Sequence, residues 1–252
     1  MPRRSFIVTG TSRGMGAAIA AQLLSPEHLL LCIARHHSDA LADRATAAGA
    51  VCEQWALDLA EPMAVASRLQ AWLETHAADH FASAALINNA AALTRIGPVD
   101  AGADAELSAA LRVGLEAPLL LSAAFLRASR DWPADKRVLN ISSGLGRRAM
   151  AGQASYCAAK AGLDHLTRAM ALDEALRPHG AKLVSLAPGV VDTDMQAQLR
   201  AGDAVGFPDL GNFVGLKDNG QLSSAFEAAK RVLAYLARAD FGTTPVADVR
   251  DA

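Results

Sequence analysis

Tyr156 and Lys160 stand four residues apart near the start of a stretch with helical spacing, so both side chains leave one face of a helix. An ammonium beside a phenol favours phenolate and lowers the phenol pKa. The pair could therefore serve as a general acid near neutral pH. The same spacing arises often by chance, and alone it reads equally well as a surface pair. Ser142 and Ser143 sharpen the pattern, because they close the apolar run VLNISS just upstream. If that run is a parallel strand, its hydroxyls lie at the carboxyl end, where ligands of open α/β sheets bind.

A second cluster lies near the start of the chain. The run SFIVTG is followed by Thr11, Ser12, Arg13, Gly14, Met15 and Gly16, and then by a helical pattern. With Gly10 the spacing is G-x-x-x-G-x-G. Glycines there allow a tight turn and close backbone approach, and the helix N-terminus offers N–H groups to a pyrophosphate. A turn that only packs helix on strand is the plainer alternative. The position after the first strand is the context a dinucleotide site requires. The next strand ends in Arg35-His36-His37 without an acidic residue to hold a ribose 2′-hydroxyl. Arg35 and Arg13 could instead grip a 2′-phosphate, which points to NADP. His36 and His37 read as rim residues, and no metal site is expected, since no third ligand has usable spacing.

The elements that must position these groups alternate along the chain. Unbroken apolar runs such as LLLCIAR, SAALINNA and AKLVSLAPG are separated by helical patterns, including one long helix over DAELSAALRVGLEAPLLLSAAFLRAS and another from Ser155 to about Leu176. That alternation predicts a doubly wound, Rossmann-type parallel sheet in one α/β domain spanning residues 1–252. The segment 192–221 resists the pattern. Its glycines and Pro208 suggest a mobile excursion, and such excursions often act as lids over a substrate. Met150, Met195, Phe207 and Phe213 are candidates for an apolar substrate lining, with core packing as the plainer alternative.

Composition narrows the classes. Of 252 residues, 52% are apolar and the net charge is −2, so there is no basic footprint for nucleic acid. The pairs Arg3-Arg4 and Arg147-Arg148 read as solvated flanks. The three cysteines form no C-x-x-C pair, which suits a reducing, cytoplasmic setting. Neither a signal segment nor a membrane span is expected.

Taken together, the motifs resemble the short-chain dehydrogenase/reductase family over nearly the whole chain. The matching pieces are TGTSRGMG, LDL at Leu57–Leu59, NNAA at Asn88–Ala91, ISS at Ile141–Ser143, YCAAK and PGVVDT at Pro188–Thr193. The resemblance implies that Tyr156 delivers a proton to a substrate carbonyl, Ser143 polarises that carbonyl, and Lys160 binds the nicotinamide ribose. It further implies that Asp58 and Leu59 flank the adenine, that Asn89 and Ala90 lie beside the adenosine ribose, and that Pro188, Gly189, Val191 and Thr193 meet the nicotinamide end. A homodimer or homotetramer is implied as well. Within the family, DWPADKRVLNISSG and FPDLGNFVGLKDNGQLSS are similar to benzil and sepiapterin reductases, whose substrates are aryl diketones and pterin side-chain ketones. In the sepiapterin type an aspartate grips the pterin, and Asp248 falls there; an exposed polar tail is the preferred reading of FGTTPVADVRD.

One departure stands out. The family usually carries asparagine where this chain has Gly114, inside Val113-Gly114-Leu115. That asparagine normally steadies a kink and helps link the lysine to solvent. Its absence leaves two readings: an NADPH-dependent carbonyl reductase with an altered proton relay, or an NADP(H)-binding protein with little turnover. A reductase of carrier-bound 3-ketoacyl groups is a variant of the first. The first reading expects Gly114→Asn to raise turnover or leave it unchanged.

Overall fold

A computed structural model describes residues 3–251. Seven parallel strands form one sheet: β1 (Arg3–Thr9), β2 (His28–Ala34), β3 (Val51–Ala56), β4 (Phe81–Asn88), β5 (Asp135–Ile141), β6 (Lys182–Ala187) and β7 (Val246–Asp248). Their spatial order is β3-β2-β1-β4-β5-β6-β7, so the direction of winding reverses between β1 and β4. A cleft opens at such a reversal, outside the carboxyl ends of the strands.

Alternate residues of each strand face opposite cores. Ile7, Leu29, Leu31, Ile33 and Leu86 join one apolar cluster, and Val8, Leu30, Cys32 and Ile87 join the other. Burial on both faces explains why the strands read as unbroken apolar runs. One face is covered by α3 (Pro62–Glu74), α5 (Ala117–Ala128) and α6 (Ala154–Ala175), and the other by α1 (Gly14–Leu23), α2 (Asp39–Ala47) and α9 (Ala225–Leu236).

The expected single long helix is interrupted. It consists of α4 (Asp104–Leu111), a π-helical turn over Arg112–Glu116, and α5. Pro118 explains the interruption. A proline ring in a regular helix collides with the carbonyl four residues back, which here belongs to Gly114, and it removes a donor. The backbone answers with an i→i−5 bond from the Ala117 N–H to the Arg112 carbonyl. Contrary to the sequence expectation, the run Asp104–Ala128 is long and apolar enough to cross a membrane by length and composition alone. In the fold its inner face is core: Ala117, Leu121, Ala124 and Phe125 are buried against the sheet and α3.

Two further expectations change. The excursion over 192–221 contains two helices, α7 (Asp194–Arg200) and α8 (Leu210–Asp218). The tail is not an exposed polar strand of chain. Val246–Asp248 pairs in register with Ser185–Ala187 as β7, and Asp248 is 5% exposed.

Candidate active site

The cleft at the strand ends has a volume of about 1000 Å³. Every residue that the sequence reading singled out for chemistry or dinucleotide binding lies on its wall. At one end, Arg35 follows β2, and Asp58 and Leu59 follow β3. Gly10, Ser12, Arg13, Gly14, Met15 and Gly16 form the floor between β1 and α1. Asn89 and Ala90 follow β4, while Pro188, Gly189, Val191 and Thr193 follow β6.

The glycine loop is built by close approach. A Cβ on Gly16 would lie 2.1 Å from the Gly10 carbonyl oxygen and 2.4 Å from Asn89 Nδ2. Gly10 and Gly14 have φ of +73° and +57°, a region that side chains disfavour. Asn89 fastens the loop from β4: its Nδ2 donates to the Thr9 carbonyl at 2.9 Å, and its backbone N–H donates to Thr9 Oγ1 at 2.9 Å. The first-turn N–H groups of α1 then face the cleft without intrahelical partners. Arg13 departs from expectation. It pairs with Asp194 at the start of α7 at 2.8 Å instead of standing free for a phosphate. Both side chains are about two-thirds exposed, and such a pair is worth roughly 0–1 kcal/mol, so it yields readily to a stronger anion. Among the described residues Arg35 has no acidic partner.

At the other end, Ser143 ends the strand segment and Tyr156 and Lys160 project from the first two turns of α6. Lys160 is 2% exposed, and its Nζ donates to the Ile141 carbonyl at 2.7 Å. Burial pushes its pKa down to about 8, and the nearby Asp164 charge opposes that fall. The ammonium stands 5.6 Å from the centre of the Tyr156 ring. The phenol pKa is nevertheless raised to about 12, chiefly by burial, with a hydrogen bond to Ser143 pulling the other way. This corrects the expectation that the lysine would dominate: Tyr156 rests as a neutral phenol, the form that can donate a proton.

Gly114 has a packing role that spacing alone did not reveal. It is buried in the π-turn, and a Cβ there would lie 3.0 Å from the Cβ of Ala159, the residue before Lys160. The glycine lets the kinked helix touch α6 beside the lysine.

Residues of the excursion border this end of the cleft. Met195 and Phe213 line the cleft opposite Met150, but Phe207 does not. It is fully buried behind that lining, in one small cluster with Ile96, Met150, Leu199 and Phe213, and its ring centre stands 5.4 Å from that of Phe213. Asp192, at the base of the excursion, is held below the usual carboxylate range by Lys217 at 2.5 Å, with Arg200 at 3.8 Å. Arg147 is no simple solvated flank. It donates to the Ala247 carbonyl at 2.8 Å and approaches Asp164 and Asp248. Asp248 and Arg250 also line the cleft, and Asp248 is held below the usual range by Arg250, at 2.6 Å, and by Arg147. Sequence reasoning gives Arg147 only a solvated-flank role and carries no reading of Asp164 or Arg250. Asp164 had a signal, since it lies one helical turn beyond Lys160.

Comparison with known proteins agrees with this geometry. Residues 4–204 match the short chain dehydrogenase family. Benzil reductase ((S)-benzoin forming) of Bacillus cereus is 34% identical over 238 residues, covering 94% of this chain and 96% of the relative. Sepiapterin reductase of Meriones unguiculatus is 32% identical, covering 97% and 95%. A metagenomic short-chain oxidoreductase solved in complex with NADP superimposes with a TM-score of 0.72 at 28% identity, covering 97% of this chain and 94% of that one. The doubly wound sheet, the glycine loop and the serine, tyrosine and lysine on one cleft therefore have one explanation: the chain belongs to the short-chain dehydrogenase/reductase family of oxidoreductases, which bind a nicotinamide cofactor.

Proposed function

We propose that this protein is an NADPH-dependent reductase of small ketones, with Tyr156 as proton donor. The observation that carries the reading is the meeting of Ser143, Tyr156 and Lys160 on the same cleft as the glycine loop. The loop fits a dinucleotide: the space that a Gly16 Cβ would fill is closed by backbone, while the first-turn N–H groups stay open to a pyrophosphate. Arg35, without an acidic partner, and a displaceable Arg13 suit a 2′-phosphate. When bound, the reduced nicotinamide supplies the hydride. Ser143 orients the carbonyl oxygen by a hydrogen bond, and Tyr156 donates its proton to the same oxygen as charge builds there. Lys160 holds the ribose and its positive charge favours the phenolate left behind.

Met150, Met195 and Phe213 favour an aryl or otherwise apolar ketone. An aryl diketone suits the site better than a pterin, because both Asp248 oxygens already accept from Arg250. The test is NADPH consumption with benzil, sepiapterin and a 3-ketoester, repeated with NADH. Turnover with benzil that is lost with NADH, and a preference for NADPH that collapses in Arg35→Ala, are expected. Tight NADPH binding without turnover on any carbonyl would favour the alternative of a cofactor-binding protein with little activity. A cytoplasmic setting suits three free cysteines. A homodimer or homotetramer would use the groove between α5 and α6, where Leu119, Ala123, Leu126 and Met170 are rimmed by Arg127, Arg130, Asp173, Glu174 and Arg177, and light scattering checks it.

The contact at Ala159 alters the expectation for Gly114→Asn. The single variant should lose about 1–3 kcal/mol of stability through crowding, read as a lower Tm. Gly114→Asn with Ala159→Gly should regain that loss and turn over at least as fast as the parent. A Tm unchanged in the single variant would show that α6 yields freely.

A further inference from the structure

Lys160 is a buried ammonium whose protein partner is one carbonyl, and the residue that usually links it to polar surroundings is glycine here. Asp164 lies one turn further along the same face of α6 and is 2% exposed. Its Oδ1 accepts from Ser142 Oγ at 2.5 Å and from Ser185 Oγ at 2.7 Å, so the carboxylate ties the ends of β5 and β6 to α6. Its Oδ2 is buried and accepts no hydrogen bond. The turn after Ser143 closes directly upon it: a Cβ on Gly146 would stand 2.7 Å from Oδ2. Arg147 Nε, from the same turn, stands 3.5 Å from it.

A carboxylate with a spare oxygen in so dry a place is expensive unless its charge is needed. Two neighbours can use it. One is Arg147, which is one-third exposed and also reaches Asp248. The other is Lys160. Resting on the reductase reading above, we propose that Asp164 is a positioning residue of the reaction centre: its charge keeps Lys160 an ammonium, and its bonds to Ser142 fix the strand end that presents Ser143. In this chain the compensating charge for the lysine comes from within α6, where the glycine at 114 supplies nothing.

Tyr156 and Asp164 share the α6 face with Lys160, Arg147 from the turn after β5 stands beside Asp164, and Asp248 from β7 with Arg250 lies beyond Arg147. With Asp164 anionic, burial of the lysine is partly offset. Removing the negative charge therefore lowers the pH at which Lys160 loses its proton.

The test reads the lysine directly and needs no turnover. The chain has five lysines, at 136, 160, 182, 217 and 230, so ¹³C-lysine labelling gives a short set of Cε resonances, with Lys160→Arg identifying the one of interest. In the unliganded protein, Asp164→Asn should lower the Lys160 midpoint by about one pH unit, and Asp164→Glu should restore it. In the active enzyme the alkaline limb of kcat/KM should move by the same amount. If Asp164→Asn does not fold, Arg147→Met and the double variant Asp164→Asn/Arg147→Met are compared. Removing both charges leaves no uncompensated guanidinium, and the double variant should titrate lower than the single. A Lys160 midpoint that is the same with and without the Asp164 charge overturns the proposal. Absence of carbonyl turnover with an intact midpoint shift would overturn the reductase reading instead.

Discussion

Tyr156→Phe is expected to lower kcat for carbonyl reduction by about 10²–10⁴-fold, the usual worth of a positioned general acid. The substitution removes one oxygen from a ring that keeps its packing, so the fold and NADPH affinity should stay near those of the parent. The phenol rests protonated, its pKa raised to about 12 by burial, so the donor form dominates at neutral pH. The acidity that matters is the one after hydride transfer, when Lys160 and Ser143 favour the phenolate. The pH profile follows with a definite sign. Lys160 must be an ammonium to do this, and its pKa is lowered to about 8. The rate of reduction should therefore hold below that value and fall as pH rises through it. Stopped-flow NADPH oxidation across pH 6–10 checks both parts. A phenylalanine variant within tenfold of the parent would remove the tyrosine from the chemistry.

Gly16→Ala should weaken NADPH binding by at least about tenfold and lower the Tm, whereas Gly14→Ala should lower the Tm with a much smaller loss of binding. The two glycines sit in one loop but for different reasons. At Gly16 a Cβ would meet the Gly10 oxygen at 2.1 Å and Asn89 Nδ2 at 2.4 Å, distances that only a shift of the loop can relieve. Such overpacking costs about 1–3 kcal/mol, and displacement of the N–H cradle adds a binding loss, with each 1.4 kcal/mol worth about tenfold. At Gly14 the nearest atom would be Thr193 Cγ2 at 3.6 Å, so the cost is the positive φ alone, about 1–2 kcal/mol. Fluorescence titration with NADPH and thermal melts separate the two. Parent-like affinity in Gly16→Ala would mean that the loop is not the dinucleotide cradle.

The glycine loop and the tyrosine and lysine were legible because their chemistry is local. Spacing alone puts Tyr156 and Lys160 on one helix face, and a glycine cluster between strand and helix has few other uses. The strands were legible because burial on both faces makes them continuous apolar runs. The parts that escaped depend on contacts between distant segments. Strand β7 is three residues set among Gly242, Thr243, Thr244 and Pro245, too short for any period to register, and it exists because β6 offers an open edge. Helix α8 carries Gly211 and Gly215, whose propensity argues against it, and α7 is a run of only seven residues, DMQAQLR, whose helix-forming composition is masked by the glycines and Pro208 that follow. The π-turn carries a sequence signal in Pro118, which sits inside an otherwise regular helical pattern. Gly114 was read as a lost side chain. The structure adds that α6 passes too near, at Ala159, for one to enter without displacement.

The cleft is assembled from both extremes of the described chain. Its floor begins at Gly10, and one wall is completed by Asp248 and Arg250. Strand β7 follows every other element in sequence, yet it borders the site and receives Arg147 from the turn that carries Ser143. During synthesis on the ribosome, then, the glycine loop and the tyrosine helix can form well before the last wall emerges. Until it does, β6 presents an unpaired edge at Ser185, Leu186 and Ala187, the kind of edge on which nascent chains misassociate. The tail thus has two duties: it closes the site, and it ends the interval in which the sheet is open to strangers.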